Sequence, residues 1–275
     1  MASELISQYI ARLPEVPTPE SSLRRVSAAR VAGRFLDIDI TSAFQPIFGA
    51  DGGIFGDAAL VRCRDEGGVT RSPQTLFGRA LSDSDLVRLD RLCRTVHAIN
   101  YFACAPAGRA LILKVDPRLL ASVPDQHGKA FERVLTSLGI ATDQVIIEIP
   151  SAANANPALV AHVVANYHFR GYRVAVHYAG DAGWRATLAH LRAAFVIVPF
   201  VEQPTGSLGT DLAGARASGA RGLVTRLESG ASLAAARQGG ADLLQGFGLG
   251  DPGPDLVDSA RGESGSKDSS PIPRH

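Results

Sequence analysis

Cysteine is scarce in this 275-residue chain: Cys63, Cys93 and Cys104 lie far apart with no CxxC spacing. That argues against a cysteine-ligated metal module or a dithiol redox motif. An odd count without a secretory leader fits reduced thiols buried as small hydrophobes in a cytoplasmic protein. Net charge is also nearly absent, at +1. No long-range field then draws the chain to nucleic acid or an anionic membrane, and any anionic ligand must be held locally. No apolar run approaches the roughly 20 residues that span a bilayer, and Met1-Ala2-Ser3-Glu4 opens an amphipathic helix rather than an apolar leader. The expectation is a soluble protein with neither nucleic acid nor membrane as partner. No G-x-G-x-x-G that opens a helix and no P-loop is present, and no Ser-His-Asp or Cys-His arrangement stands out. The pairs Gly52-Gly53, Gly67-Gly68 and Gly239-Gly240, with Gly248-Leu249-Gly250, read as turns and helix ends.

What is present is ample apolar material, 45% hydrophobic against 20% charged, enough for one large domain. From about residue 41, short β-branched runs alternate with helical stretches. Strands are predicted at 43–48, 54–62, 110–115, 144–149, 173–178, 195–199, 222–227 and 243–247, and eight strands favour a closed barrel. Only Gly49-Ala50-Asp51-Gly52-Gly53 separates the first two, too little for a crossover helix, so they should form an antiparallel hairpin. Helices are predicted at 86–104, 130–138, 157–169, 184–194 and 233–238 from apolar residues at three- and four-residue spacing. Ahead of the barrel, helices are expected at 4–13 and 21–35 around the breaker Pro14-Glu15-Val16-Pro17-Thr18-Pro19, giving a helical extension over residues 1–40. The barrel should span 41–254. The remainder to residue 275, rich in Pro, Gly, Ser and Asp, is expected to be a disordered tail.

Eight short segments, in order, resemble the EAL domain family. Phe44-Gln45-Pro46-Ile47 is similar to its opening YQPI strand, and Gly56-Asp57-Ala58-Ala59-Leu60-Val61-Arg62 to its G-x-E-A-L-L-R strand. Ser72-Pro73, Leu76-Phe77 and Leu89-Asp90-Arg91 resemble its first long helix region. Leu113-Lys114-Val115-Asp116-Pro117 falls on its asparagine-bearing strand, Ile147-Glu148-Ile149-Pro150-Ser151 on LEITE, and Ala175-Val176-His177-Tyr178-Ala179-Gly180 on A-x-D-D-F-G. Val224-Thr225-Arg226-Leu227-Glu228-Ser229 resembles AEGVET, and Gln245-Gly246-Phe247 the closing QGY turn. The resemblance covers residues 41–254 and implies an α/β, TIM-like barrel whose first strand is antiparallel.

It also implies chemistry that the residues do not supply. The family hydrolyses cyclic di-GMP with two metal ions, which need several hard oxygen ligands. Here Ala58 stands at the EAL glutamate, Lys114 at the asparagine, His177 and Tyr178 at the paired aspartates, and Thr225 at the AEGVE glutamate. The place of the catalytic lysine falls in the apolar run Phe195-Val196-Ile197-Val198. Glu148 and Gln245 alone persist. No catalytic residue, metal or cofactor is therefore expected. Lys114 and Glu148, on neighbouring strands, are expected to pair in the barrel mouth in place of the metal charge; the alternative is that Lys114 simply reaches solvent. His177 and Tyr178 alternate in direction, so at most one faces the mouth.

For a ligand, the resemblance points to Gln45, Leu60 and Arg62, with Lys114, Glu148 and Gln245 around them. Arginine suits bidentate phosphate contact and lysine adds a point charge. The plainer reading makes Arg62 a rim residue paired with Asp65 or Glu66, and Gln45 and Gln245 strand-end hydrogen-bonders. Two functions compete, both non-enzymatic: a cyclic di-GMP receptor acting on a protein partner, and a ligand-independent docking protein. An active phosphodiesterase is the third. Leu5, Ile6, Tyr9, Ile10 and Leu13 form an apolar stripe that packs on the barrel or on another chain. A homodimer is implied by the resemblance alone.

Overall fold

The computed structural model describes residues 2–16, 22–122, 128–178, 182–201 and 207–257. Ala179-Gly180 of the sixth motif, Pro17-Thr18-Pro19 of the breaker and the tail from 258 onward lie outside the described residues.

The centre is a closed barrel of eight strands: β3 (Ile38–Gly49), β4 (Ile54–Asp65), β6 (Ala110–Lys114), β7 (Val145–Ile149), β8 (Arg173–His177), β9 (Phe195–Pro199), β10 (Arg221–Thr225) and β11 (Leu243–Leu244). The ring runs β3-β4-β6-β7-β8-β9-β10-β11 and back to β3. Pairing is parallel from β4 onward, while β3 lies antiparallel to both β4 and β11. All eight predicted strands and the antiparallel opening hairpin are there. Inside, Ile47, Ala110, Ile112, Ile146, Ala175, Phe195, Ile197, Leu223 and Leu243 fill the barrel. The opposite faces of the same strands pack under α3 (Asp83–Phe102), α4 (Pro117–Ser122), α5 (Lys129–Ser137), α6 (Pro157–Phe169), α7 (Ala182–Leu191), α8 (Ser207–Ala217) and α9 (Gly230–Gln238).

Period-two alternation in the strands thus sets one residue inward and the next toward a helix. The five predicted helices are present as α3, α5, α6, α7 and α9, their starts within three residues of those expected, and α4 and α8 are additional. Ser82 accepts from Asp85 N ahead of α3, with Asp83 and Asp85 in its first turn, and Asn156 accepts from Leu159 N ahead of α6 with Pro157 at the first position.

The helix expected over 21–35 is instead a strand pair, β1 (Leu23–Ser27) and β2 (Arg30–Phe35), which continues the sheet beyond β3 in a meander completed by the short β5 (Thr70–Arg71) on β4. The apolar residues of 21–35 are compatible with helical spacing, but tertiary contacts decide otherwise. Val31 and Phe35 bury on α3, Asn100 of α3 bonds both the Val31 N–H and its carbonyl, and β2 pairs with β3 from Gly33–Ile40 to Phe35–Ile38. Gly33 lets β2 lie close to α3: a Cβ would meet the Val96 side chain at 3.0 Å and that of Leu92 at 3.1 Å, and both would have to give. Residue 41, taken as the barrel's start, falls inside β3.

The first helix, α1 (Ala2–Ala11), buries Ile6 and Ile10 completely against the chain's own core, and leaves Leu5 exposed. The described residues around the expected boundary at 254 are bonded to the rest of the chain. Gly253 exchanges both backbone hydrogen bonds with Phe44, and Arg30 pairs with Asp255 at 2.7 Å.

Candidate functional site

At the carboxyl ends of the parallel strands the inward positions become polar. Lys114, Glu148, His177, Thr225 and Gln245 lie at or next to the ends of five strands, and Gln45, Ala58 and Leu60 complete the ring from the opening hairpin. Lys114 and Glu148 are in register across β6 and β7, so their side chains must stand together. Lys114 Nζ lies 3.5 Å from Glu148 Oε1, as the sequence led us to expect. Lys114 also stays 61% exposed, so the solvent-reaching alternative holds as well: the ammonium is tethered at one side and open at the other.

His177 was not expected in this pair. Its Nε2 sits 3.0 Å from the same Glu148 oxygen, both side chains being mostly buried. His177 is thus the member of the His177-Tyr178 pair that faces the mouth. Burial works to raise the Glu148 carboxyl; the hydrogen bond from His177 and the charge of Lys114 outweigh it and leave its pKa below the ordinary glutamate value. A depressed carboxyl stabilises the fold fully above the unfolded glutamate pKa and loses that contribution as pH falls on through the lower folded pKa. Glu148→Gln is therefore expected to flatten the fall in unfolding midpoint between pH 7 and pH 4; chemical denaturation at both values, with an equally steep fall in the variant, would refute this.

On the other side of the mouth, Gln245 Nε2 donates to Gln45 Oε1 at 3.1 Å, and Gln45 Nε2 donates to the Gly250 carbonyl at 3.2 Å. These are the strand-end roles of the plainer reading. Arg62 does not follow it: Asp65 is taken by Arg71 and Glu66 by Arg34, and the exposed Arg62 guanidinium bonds the Val61 carbonyl without an ion pair among the described residues.

Beyond Ala58 and Ile112, β4 and β6 part, since β4 turns to pair with β3 and β5 while β6 stays with β7. The gap is a cavity of about 460 Å³ that meets the barrel mouth at Leu60 and Lys114. Phe77 of α2 (Pro73–Gly78) forms one wall, and Asp90, Arg94 and His97 of α3 line its inner end. Asp90 holds Arg94 through two contacts, 2.8 and 3.2 Å, and Arg94 NH1 donates to the Tyr167 hydroxyl at 3.2 Å. Burial alone would lower the Arg94 pKa, but the adjacent carboxylate drives it up, so the guanidinium stays charged. Burial pushes His97 down to about 4. It is neutral, its Nδ1 bonded to Ser42 Oγ at 2.7 Å, and Asn100 donates to that same oxygen at 3.3 Å.

Sequence reasoning placed Leu89-Asp90-Arg91 only as part of a helix. The signal was there: residues 86, 90, 93 and 97 share one helical stripe, so an aspartate and a histidine fall in phase with buried Leu86 and Cys93.

No protein-family sequence model matches the chain, and no curated protein sequence is recognisably similar. Similar solved structures are found. The Bacillus subtilis YkuI protein, with an EAL domain and in complex with substrate cyclic di-GMP and calcium, superposes with a TM-score of 0.69 at 20% identity over 81% of this chain and 58% of that one. The chain therefore spans less than two thirds of YkuI. The EAL domain of Xanthomonas citri FimX in complex with cyclic di-GMP gives 0.68 at 15% identity, covering 80% of this chain and 90% of that one. A standalone EAL protein from Vibrio cholerae O395, bound to cyclic di-GMP, gives 0.65 at 20%, covering 80% and 94%. At such identities the likeness is one of architecture, and it agrees with the antiparallel opening strand and the ordered motifs: the chain has the EAL-domain fold.

Proposed function

We propose that this protein is a cyclic di-GMP receptor that does not hydrolyse its ligand and that signals to a protein partner. The observation that carries the reading is the cavity between β4 and β6, which opens beside Leu60 and Lys114, whose ammonium is tethered to Glu148 on one side and exposed on the other, with exposed Arg62 two residues on from Leu60 along β4. A guanine base carries adjacent N–H donors that suit a carboxylate and acceptors that suit a guanidinium, and Asp90 and Arg94 present both at the inner end. Leu60 and Phe77 supply apolar wall, and the cations at the entrance suit the phosphodiester.

The residues present do not fit a pair of divalent ions. Glu148 is a carboxylate at an inward strand-end position of the mouth, and its oxygen is already held by an ammonium and an imidazole. Among the described residues no three His, Cys, Asp or Glu side chains are grouped as cation ligands. Lys114 supplies a fixed positive charge where a metal cation would otherwise face the phosphate.

Isothermal titration tests this. Binding on the order of micromolar, unchanged by EDTA and without turnover in Mg or Mn, is expected. Arg62→Ala is expected to weaken it roughly 30-fold, about 2 kcal/mol, the worth of a charge-assisted contact. Turnover that EDTA abolishes would instead make the protein a phosphodiesterase. A second reading, a docking scaffold indifferent to nucleotide, draws on the mouth glutamines being spent on each other and on Phe169 at 88% and Phe247 at 60% exposure. It predicts no heat with cyclic di-GMP, and partner binding that survives Arg62→Ala.

A further inference from the structure

Arg226 follows the last residue of β10 with φ at 62°, in the left-handed region. A side chain with a Cβ pays for this conformation and glycine does not. The backbone on either side leaves no other choice. The Thr225 carbonyl accepts from Phe200 N at 2.8 Å, Leu227 N donates to the Gln245 carbonyl at 3.1 Å, and Leu227 is fully buried. Arg226 is thereby thrust out of the sheet at the mouth's rim, exposed, with no hydrogen bond or ion pair among the described residues.

Its place on the ring is as telling as its backbone. From β6, which carries Lys114, to β10 is four strands in either direction around the eight. Lys114 and Arg226 are therefore diametrically opposed, one tethered by Glu148 and the other fixed by backbone. Arg226 thus occupies a costly conformation without making a hydrogen bond or ion pair among the described residues, at the rim of the candidate site.

We infer that Arg226 is a further phosphate-binding residue of the mouth, and that cations on opposite sides of the ring, Arg226 on one and Lys114 with Arg62 on the other, select a ligand with two separate phosphate groups over one with a single phosphate. This rests on the nucleotide-receptor reading and extends it to how the ligand is chosen.

The test is Arg226→Gly in the full chain, measured with cyclic di-GMP and with cyclic GMP, which has one phosphate. The variant is expected to melt a few degrees higher, since glycine relieves the backbone. It should bind cyclic di-GMP at least tenfold more weakly, and its affinity for cyclic GMP should not change. Arg226→Lys should recover part of the cyclic di-GMP affinity while keeping the lower melting temperature. If the wild type binds cyclic di-GMP and Arg226→Gly binds it equally well, the inference fails and the receptor reading stands. If both nucleotides lose affinity alike, Arg226 is a general rim charge and the selection is refuted. If the wild type binds neither, both readings fall together.

Discussion

Asp90→Ala is expected to destabilise the protein by about 3–5 kcal/mol, the cost of leaving one partner of a buried pair uncompensated. The two side chains are only 4% and 10% exposed, and Asp90 holds Arg94 at both carboxylate oxygens. Once Asp90 is gone, Arg94 keeps the Tyr167 hydroxyl and the face of Phe131, 5.9 Å from its ring centroid, neither of which neutralises a charge. The pair itself is not what the fold needs most. Removing both charges together, as in Asp90→Leu with Arg94→Met, should restore most of the lost stability, because two desolvated ions are exchanged for apolar volume. Urea denaturation of the two single variants and the double variant measures this; a double variant as unstable as Asp90→Ala would show that the loss comes from packing. The double variant should also fail to bind nucleotide, since it strips the cavity's inner end of its polar groups.

Gly246→Ala comes next, at about 3 kcal/mol. A Cβ at Gly246 would fall inside the Leu227 backbone, which cannot swing aside as a side chain would. Leu227 is bonded to Gln245 through its N–H and to Gly248 through its carbonyl, so a displacement here would also drag Gln245 off Gln45. Phe247→Ala, one residue on at an exposed side chain, should change stability by no more than ~0.5 kcal/mol. Thermal unfolding of both variants separates a steric requirement at Gly246 from a general sensitivity of this turn. Equal losses would refute the steric account.

The barrel was legible because its parallel strands are short apolar runs buried on both faces, and β-branched runs broken by turn residues have few other uses. The Lys114–Glu148 pair was legible for a related reason: two strand-end residues on adjacent parallel strands must meet. His177 joining them was not, since the strands give direction but not reach. Residues 21–35 misled because Ala28, Ala29, Val31 and Ala32 satisfy either period, and Asn100 on α3, almost 70 places away, decides the matter. α8 was not anticipated because Gly209 and Gly214 interrupt a stripe carried by only Leu208, Leu212 and Ala215. The β4–β6 cavity is a product of where strands part, and no local pattern encodes that, whereas the backbone of Arg226 falls on the glycine of the AEGVET resemblance.

The short strand β11 meets β3 through only two residue pairs, Leu243–Gly49 and Leu244–Phe48. Every other junction in the ring except β10–β11 has at least three. This seam joins segments about 200 residues apart in the chain, so its closure entropy is offset only when the intervening strands already stand in place. The ring is thus drawn shut by its last strand, with Gln245 on Gln45 and Gly253 on Phe44 acting as the fastening. The polar residues of the mouth double as the clasp of the barrel, which ties occupancy of that mouth to the integrity of the whole ring.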